Sequence, residues 1–242
     1  YNDDSLMLHN DLYQINMAES YWNDGIHERI AVFDLYFRKM PFNSGYAVFN
    51  GLKRVVNFIE NFGFTNEDIT YLKSIGYEED FLNYLKDLKF TGNIKSMQEG
   101  EICFGNEPLL RVEAPLIQAQ LIETILLNII NFQTLIATKA SRIRQIATHD
   151  TLMEFGTRRA QEIDAALWGA RAAFIGGFDS TSNVRAGKLF NIPVSGTHAH
   201  ALVQTYGDEY IAFKKYAERH KNCVFLVDTF HTLKSGVPTA IK

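Results

Sequence analysis

The 242-residue sequence predicts an α/β fold in which an N-terminal α+β domain packs on an incomplete (β/α) barrel. From Leu152 onward, short apolar runs alternate with helical stretches, which is typical of parallel strands joined by right-handed crossovers. Before residue 115, helical patterns are mixed with the alternating pattern of half-buried strands. These patterns predict an α+β domain at 1–115, long bridging helices at 116–150 and the first half of an α/β barrel at 151–242.

The first predicted domain contains helices, strands and their end signals. Helical spacing predicts helices at 11–24, 52–61 and 66–74. Asn10 is a candidate N-cap for the first helix, and Thr65 begins a capping pattern for the third. Alternation at 30–37 predicts a strand, and apolar runs at 101–104 and 109–112 predict a hairpin or two neighbouring strands.

The second half begins after a long apolar helix. Residues 115–148 are apolar on most faces of a helix, so we expect this segment to be buried. Four apolar runs then predict parallel strands at 152–155, 172–175, 192–194 and 224–227. Four such units make half of a (β/α) barrel, whose complete form takes about 250 residues. Because half a barrel leaves a strand edge unpaired, we expect this chain to be the front part of a longer protein.

Composition narrows the class of protein and of partner. The chain is 46% hydrophobic and 21% charged, an ordinary balance for a soluble globular protein. Its net charge of -4 and the lack of a Lys/Arg block argue against nucleic acid as a partner. A membrane span needs a run of about 18 uninterrupted apolar residues, and the sequence contains no such run. Two cysteines, Cys103 and Cys223, are too few for a disulfide framework, so we expect a cytoplasmic protein.

Polar residues follow or adjoin each predicted barrel strand. They form the segments 156–159, 176–180, 196–200 and 228–229. Guanidinium groups and helix N-termini favour anions, so these segments together predict one polar mouth that binds phosphate or carboxylate oxygens. A bound Mg²⁺ is expected to use Asp228 or Asp179, because carboxylates are its preferred protein ligands.

Each of these residues also has a structural interpretation. Arg158 and Arg159 fit a solvated helix start or an ion pair, and Asp179 and Asp228 fit helix caps. Metal binding by the two histidines of the 196–200 segment is not expected. Their i, i+2 spacing points the two rings in different directions, and no third ligand is evident.

Several motifs resemble the nicotinate phosphoribosyltransferase family. The most specific are EFGTRRAQ at 154–161, GGFDSTSN at 176–183 and GTHAH at 196–200, in matching order and spacing. The resemblance continues in NDLYQ at 10–14, FDLYFR at 33–38 and GNEPLLRV at 105–112. It therefore extends over essentially the whole chain, as the N-terminal half of the family.

The resemblance implies an irregular (β/α) barrel of the type II phosphoribosyltransferase kind and an ATP-coupled reaction. Nicotinate and 5-phosphoribosyl 1-diphosphate would give nicotinate mononucleotide and diphosphate in NAD biosynthesis, with ATP and Mg²⁺ required. His200 matches the phosphorylated histidine of the family, whereas His198 lies at a variable position. Family members are roughly twice as long, so this chain alone is expected to be inactive.

The resemblance also assigns roles to single residues. Asp228 joins His200 as a catalytic residue, and Tyr13 would reach the pyridine ring across a homodimer interface with shared active sites. The expected substrate-binding residues are Tyr13, Phe155, Arg158, Arg159, Asp179 and Thr197. The alternatives are a nicotinamide or quinolinate phosphoribosyltransferase, or a non-catalytic homologue.

Overall fold

The structure is a computed structural model that describes residues 5–242. The first half contains α1 (Leu12–Asn23), β1 (Ile30–Leu35), β2 (Ala47–Val48), α2 (Leu52–Glu60), α3 (Asn66–Ser74), α4 (Glu79–Asp87), β3 (Asn93–Ser96), β4 (Ile102–Cys103) and β5 (Leu110–Pro115). The second half contains α5 (Leu116–Ile146), β6 (Met153–Glu154), α6 (Glu162–Ile175), β7 (Ser180–Thr181), α7 (Val184–Phe190), α8 (His200–Tyr206), α9 (Glu209–Ala217) and α10 (Val237–Ile241).

An antiparallel sheet in the order β1-β5-β3 forms one layer of the first half. The predicted strand at 30–37 is confirmed as β1, with Phe33 and Leu35 on its more buried face. Asp34 and Arg111 face each other across β1 and β5, and the guanidinium binds both carboxylate oxygens at 2.7 and 2.8 Å. This contact lowers the pKa of Asp34.

The predicted strands at 101–104 and 109–112 are both present, as β4 and β5, but they do not form a hairpin with each other. β4 pairs with β2 in a separate two-stranded sheet, whereas β5 pairs with β1 and β3. The segment between β4 and β5 is hydrogen-bonded to the end of β1, because the amides of Asn106 and Leu109 donate to the carbonyls of Phe37 and Leu35, both at 2.8 Å. The chain therefore crosses between two sheets at this turn.

The two predicted helix caps have different outcomes. Thr65 forms the predicted capping box, with its hydroxyl accepting from the Asp68 amide at 3.1 Å. The prediction of Asn10 as an N-cap is wrong, because α1 begins after Asp11. Asn10 instead donates its side-chain amide to the Leu121 carbonyl of α5 at 2.8 Å. It therefore fixes the start of α1 on the long helix.

The long helix α5 is the centre of the molecule. It is one helix of 31 residues, and 15 of its side chains are buried. By length and composition, α5 is the helix among residues 5–242 that would suffice to cross a membrane, but 56% of its most apolar 18-residue window is packed inside the protein. Such burial is the environment that an apolar helix has in a folded core.

Two hydroxyls of α5 complete the hydrogen bonds of β2. Thr138 accepts from the Val48 amide at 2.9 Å. Thr134 accepts from the Asn50 amide and donates to the Asn50 carbonyl, both at 3.1 Å. These contacts satisfy backbone groups that would otherwise be buried without partners.

The predicted strand at 172–175 is wrong, because these residues end helix α6. Five of the nine residues 165–173 are alanines, and alanine is the strongest helix former. The next strand, β7, lies five residues later and pairs in parallel with β6. Parallel bridges also join Thr181 to Val194 and Thr197 to Val224. The predicted strands at 192–194 and 224–227 are therefore present only as single bridges, and the parallel direction predicted for them is confirmed at these positions.

Gly176 at the end of α6 lies where two helices approach closely. A Cβ atom at this residue would lie 2.4 Å from the Ala137 carbonyl oxygen and 2.7 Å from the Ala140 Cβ of α5. The packing of α6 on α5 therefore requires glycine at position 176.

A buried ion pair joins the first half of the chain to α6. Arg171 of α6 binds Glu99 through two hydrogen bonds of 2.9 and 2.5 Å, and their side chains are 11% and 16% exposed. Glu99 also accepts from the amides of Gly51 and Lys53 at the start of α2. Burial raises the pKa of Glu99, but Arg171 and these two amides together lower it by more than burial raises it. The pKa of Glu99 therefore lies below the ordinary glutamate value.

Replacing Arg171 with methionine in the full-length protein is expected to lower the free energy of unfolding by about 3 kcal/mol, because Glu99 would remain buried without its partner. Urea denaturation measures this loss. The matched change Lys73→Met, at the exposed pair with Glu79, should cost less than about 1 kcal/mol. Since the folded-state pKa of Glu99 is depressed, the pair's contribution should disappear as the pH falls through that pKa. Equal losses in both variants would contradict the assignment.

Candidate active site

The loop after β6 carries two exposed arginines beside an aromatic ring. Residues Thr157–Arg159 form one turn of 3₁₀ helix, and the Phe155 side chain is 38% exposed. Within residues 5–242, neither Arg158 nor Arg159 makes a side-chain hydrogen bond or ion pair with another residue. Their guanidinium groups are therefore available to an anionic ligand.

His200 lies at the first position of α8 and faces two residues of the 224–229 segment. Its Nδ1 lies 3.3 Å from the Thr229 hydroxyl, and its Nε2 lies 3.8 Å from a carboxylate oxygen of Asp228. Both the His200 and Asp228 side chains are about half exposed, at 49% and 59%. The structure thus brings these two predicted residues together in an accessible position.

Thr197 fixes how these segments run side by side. It forms the parallel bridge to Val224, and its hydroxyl donates to the His198 carbonyl at 2.9 Å. The bridge aligns the loop that leads to His200 with the segment that leads to Asp228. Its hydroxyl is already used within the loop, and its predicted contact with nicotinate stays a prediction.

His198 belongs to the core beside this site. Its side chain lies among the rings of Phe213, Tyr216 and Phe225, and the residue is only 8% exposed. The Leu226 amide donates to His198 Nε2 at 3.1 Å, so this nitrogen carries no proton, and Nδ1 faces the Ala199 carbonyl. Burial and these contacts leave His200 as the accessible histidine of the motif.

Asp179 is not part of this group. It immediately precedes β7, whereas Phe155 and the arginines follow β6, so Asp179 lies at the opposite end of the parallel pair. It binds Arg144 of α5 at 2.5 Å and the Leu152 amide at 2.7 Å. The amide and the guanidinium lower its pKa. Its predicted role in substrate binding stays a prediction, since these contacts are what the structure shows of its carboxylate.

Arg144 uses its guanidinium to hold this end of the fold together. Besides Asp179, it donates to the carbonyls of Gly177, Ala147 and Asp150 at 2.7 to 2.9 Å. The predicted helix cap at Asp179 is also absent, since Asn183 caps α7 by accepting from the Ala186 amide. Asp179 therefore has a structural role in this chain.

Tyr13 lies in a separate cavity of the N-terminal half. The side chain is 52% exposed, and its hydroxyl accepts from Gln14 at 3.0 Å. The cavity has a volume of about 530 Å³ and is lined from α1, the end of β1 and α5, including Arg38 and Asn128. The residues that follow the parallel segments do not line it, so one chain does not show Tyr13 beside His200.

The contact between Thr229 and the His200 ring is not predicted from the sequence. The Thr229 hydroxyl lies at hydrogen-bonding distance from His200 Nδ1. The sequence signal was the position of Asp228 and Thr229 directly after the apolar run 224–227. Within residues 5–242, no group of three or more His, Cys, Asp or Glu side chains is arranged to hold a metal ion.

Comparisons with known proteins identify the family. The sequence profile of the nicotinate phosphoribosyltransferase (NAPRTase) N-terminal domain matches residues 8–131. The chain belongs to the nicotinate phosphoribosyltransferase family. It is 67% identical over 243 residues to nicotinate phosphoribosyltransferase of Bacillus subtilis, covering 100% of this chain and 50% of the relative. The enzyme of Dictyostelium discoideum is 40% identical, with 96% of this chain and 46% of the relative covered.

Solved structures have the same α/β fold. The crystal structure of human nicotinic acid phosphoribosyltransferase aligns with a TM-score of 0.86 at 31% identity, covering 95% of this chain and 56% of that chain. A nicotinate-nucleotide pyrophosphorylase from Pyrococcus furiosus aligns with a TM-score of 0.78 at 26% identity, over 96% and 53% of the two chains. This chain therefore spans about half the length of the family members that it matches.

His198 and His200 are expected to respond differently to alanine substitution. His198→Ala removes a ring from the buried aromatic cluster and should lower the free energy of unfolding by about 3 kcal/mol. His200→Ala changes an exposed side chain and should alter it by less than about 0.5 kcal/mol. Urea denaturation of both full-length variants measures the difference. A larger loss in His200→Ala than in His198→Ala would contradict these assignments.

Proposed function

We propose that the full-length protein joins nicotinate to 5-phosphoribosyl 1-diphosphate, giving nicotinate mononucleotide and diphosphate, with coupled ATP hydrolysis. The observation that carries the proposal is the position of His200 and Asp228 on parallel segments that follow the Phe155–Arg159 loop. In α/β folds, ligands bind beyond the carboxyl ends of parallel strands. The names of the relatives support nicotinate as the substrate.

His200 is proposed to carry the phosphoryl group. A neutral ring nitrogen attacks the γ-phosphorus of ATP, an N–P bond forms, and the bond to the departing ADP oxygen breaks. Asp228, 3.8 Å from Nε2, stabilises the positive charge that the ring acquires. Water later cleaves the N–P bond and releases phosphate, which restores the histidine.

Asp228 is also the residue that would hold Mg²⁺. Its carboxylate is exposed, and hard oxygen ligands of this kind suit the ion, with the remaining positions taken by water and phosphate oxygens. Bound there, Mg²⁺ would neutralise charge on the phosphate groups of the substrates. The protein's own contribution is to fix the carboxylate beside His200.

The loop after β6 is proposed to bind the two substrates of the transfer step. The Phe155 ring offers a face for the pyridine ring, Arg158 and Arg159 offer guanidinium groups for phosphate or carboxylate oxygens, and Thr197 contacts nicotinate. A carboxylate substrate suits this loop better than an amide. Asp179, the acceptor that an amide substrate would need, is instead bound to Arg144 at the other end of β7.

Tyr13 is proposed to complete the site of a second copy in a cytoplasmic homodimer. It lies in an open cavity, and apolar side chains that line this cavity are exposed, including Tyr36 at 44% and Leu127 at 43%. Covering apolar surface of this kind favours association.

We further propose that 1–115, 116–150 and 151–242 are the three parts of the chain, and that the rest of the protein completes the barrel. This chain alone would then be inactive.

Substrate preference tests the reaction. The purified full-length protein, given 5-phosphoribosyl 1-diphosphate and ATP, should form nicotinate mononucleotide with a kcat/KM at least about 100-fold above that for nicotinamide, because two arginines favour an acid. Product formation is measured by chromatography, with quinolinate as the third substrate. Preference for nicotinamide or quinolinate would identify those alternatives, and no product from any of them would indicate a non-catalytic homologue.

Phosphorylation of His200 is tested separately. Incubation with γ-labelled ATP should label the full-length protein at a phosphohistidine, and His200→Ala should remove the label because the attacking nitrogen is absent. His220→Ala is the matched control, since it removes another histidine and should keep the label. Labelling that persists in His200→Ala would show that another residue is the nucleophile.

A further inference from the structure

The carboxylate of Glu154 has no place in the proposed reaction, yet it links two parts of the site. Glu154 pairs with Thr181 in the β6–β7 register, so both side chains lie on the same face. The Thr181 hydroxyl donates to Glu154 Oε2 at 2.7 Å, and the Gly156 amide donates to Oε1. One carboxylate therefore connects β7 to the turn that follows β6.

Both partners are themselves fixed. Thr181 is fully buried, and its hydroxyl accepts from the amide of Asn183, the N-cap of α7, at 3.0 Å. The Ser182 amide donates to the Glu154 carbonyl at 2.9 Å. Glu154 thus attaches the backbone of the loop to β7 and to the start of α7.

Glycine at position 156 allows this contact. A Cβ there would lie 2.8 Å from Glu154 Oε1, which is too close for an unstrained side chain. Within residues 5–242, Glu154 makes no ion pair, so its charge is directed to the Gly156 amide and the Thr181 hydroxyl. Charge-assisted hydrogen bonds of this kind are stronger than neutral ones.

Glu154 reaches the loop through the Gly156 amide, and its other side-chain contact is with Thr181 of β7. Glu154 therefore acts on the loop through its backbone and not by touching a pyridine ring on Phe155. This separates it from the residues proposed to bind the substrates.

We propose that Glu154 is a positioning residue, which fixes the turn that presents Phe155 and Arg158 to the substrates. The inference rests on the proposed function, because Phe155 and Arg158 are binding residues only there. Loss of the carboxylate would free the Gly156 amide and let the loop move, while His200, on a different segment, would keep its place.

The test compares Glu154→Gln with Glu101→Gln in the full-length protein. Glu101 is the matched control, because its carboxylate also accepts a turn amide, that of Gln98 at 2.8 Å, but in the N-terminal half. Glu154→Gln should raise the KM for nicotinate by about tenfold, since one amide oxygen replaces two charged acceptors. Labelling of His200 by γ-labelled ATP should stay within about twofold of wild type. Glu101→Gln should change neither quantity.

Three outcomes would overturn the inference. They are an unchanged KM in Glu154→Gln, a KM rise equalled by Glu101→Gln, and a parallel loss of His200 labelling that shows general damage. If Glu154→Gln does not fold, Thr181→Val decides, because it removes the hydroxyl from the same network and should raise the same KM. A wild-type protein that makes no mononucleotide would refute the proposed function itself, whereas an active wild type with an unaffected Glu154→Gln refutes only the positioning role.

Discussion

Burial of about half of the side chains of α5 is the constraint on which the rest of the structure depends. A helix this apolar gains its stability only when neighbours cover it, and here the N-terminal half covers one part and α6 another. Covering the helix requires that neighbouring elements approach it closely and that the polar groups buried against it have hydrogen-bond partners. Gly176 provides the first at the α5–α6 contact, and the hydroxyls of Thr134 and Thr138 provide the second at β2.

The same packing distinguishes two pairs of arginines. Arg144 and Arg171 sit at the contacts that α5 and α6 make with their surroundings, and each is held by a carboxylate and by further hydrogen bonds or rings. Arg158 and Arg159 lie beyond the end of β6, where no carboxylate of the described chain reaches them. Arg144 and Arg171 are therefore engaged in contacts within the fold, whereas Arg158 and Arg159 are accessible to a ligand.

The sequence predicted the elements whose signals are local. The capping box at Thr65, the alternation of β1 and the apolar pattern of α5 each depend on residues within a few turns. The strand at 172–175 was predicted wrongly because a buried apolar run fits either a strand or a helix. β3 and α4 were not predicted. In the site, the resemblance selected His200 over His198, but the place of Asp179 and the Glu154–Thr181 contact depend on strand boundaries and register, which a single sequence does not specify.

The unbroken course of α5 limits how the protein can move. At the usual rise per residue its 31 residues extend over about 46 Å. Asn10 is attached near its first turns, and Arg144 anchors its last turn to Gly177 and Asp179. A continuous rod offers no hinge, so the N-terminal surface that carries Tyr13 and the start of β7 beside Asp179 stay at a constant distance. Any movement around a ligand is therefore left to the short loops.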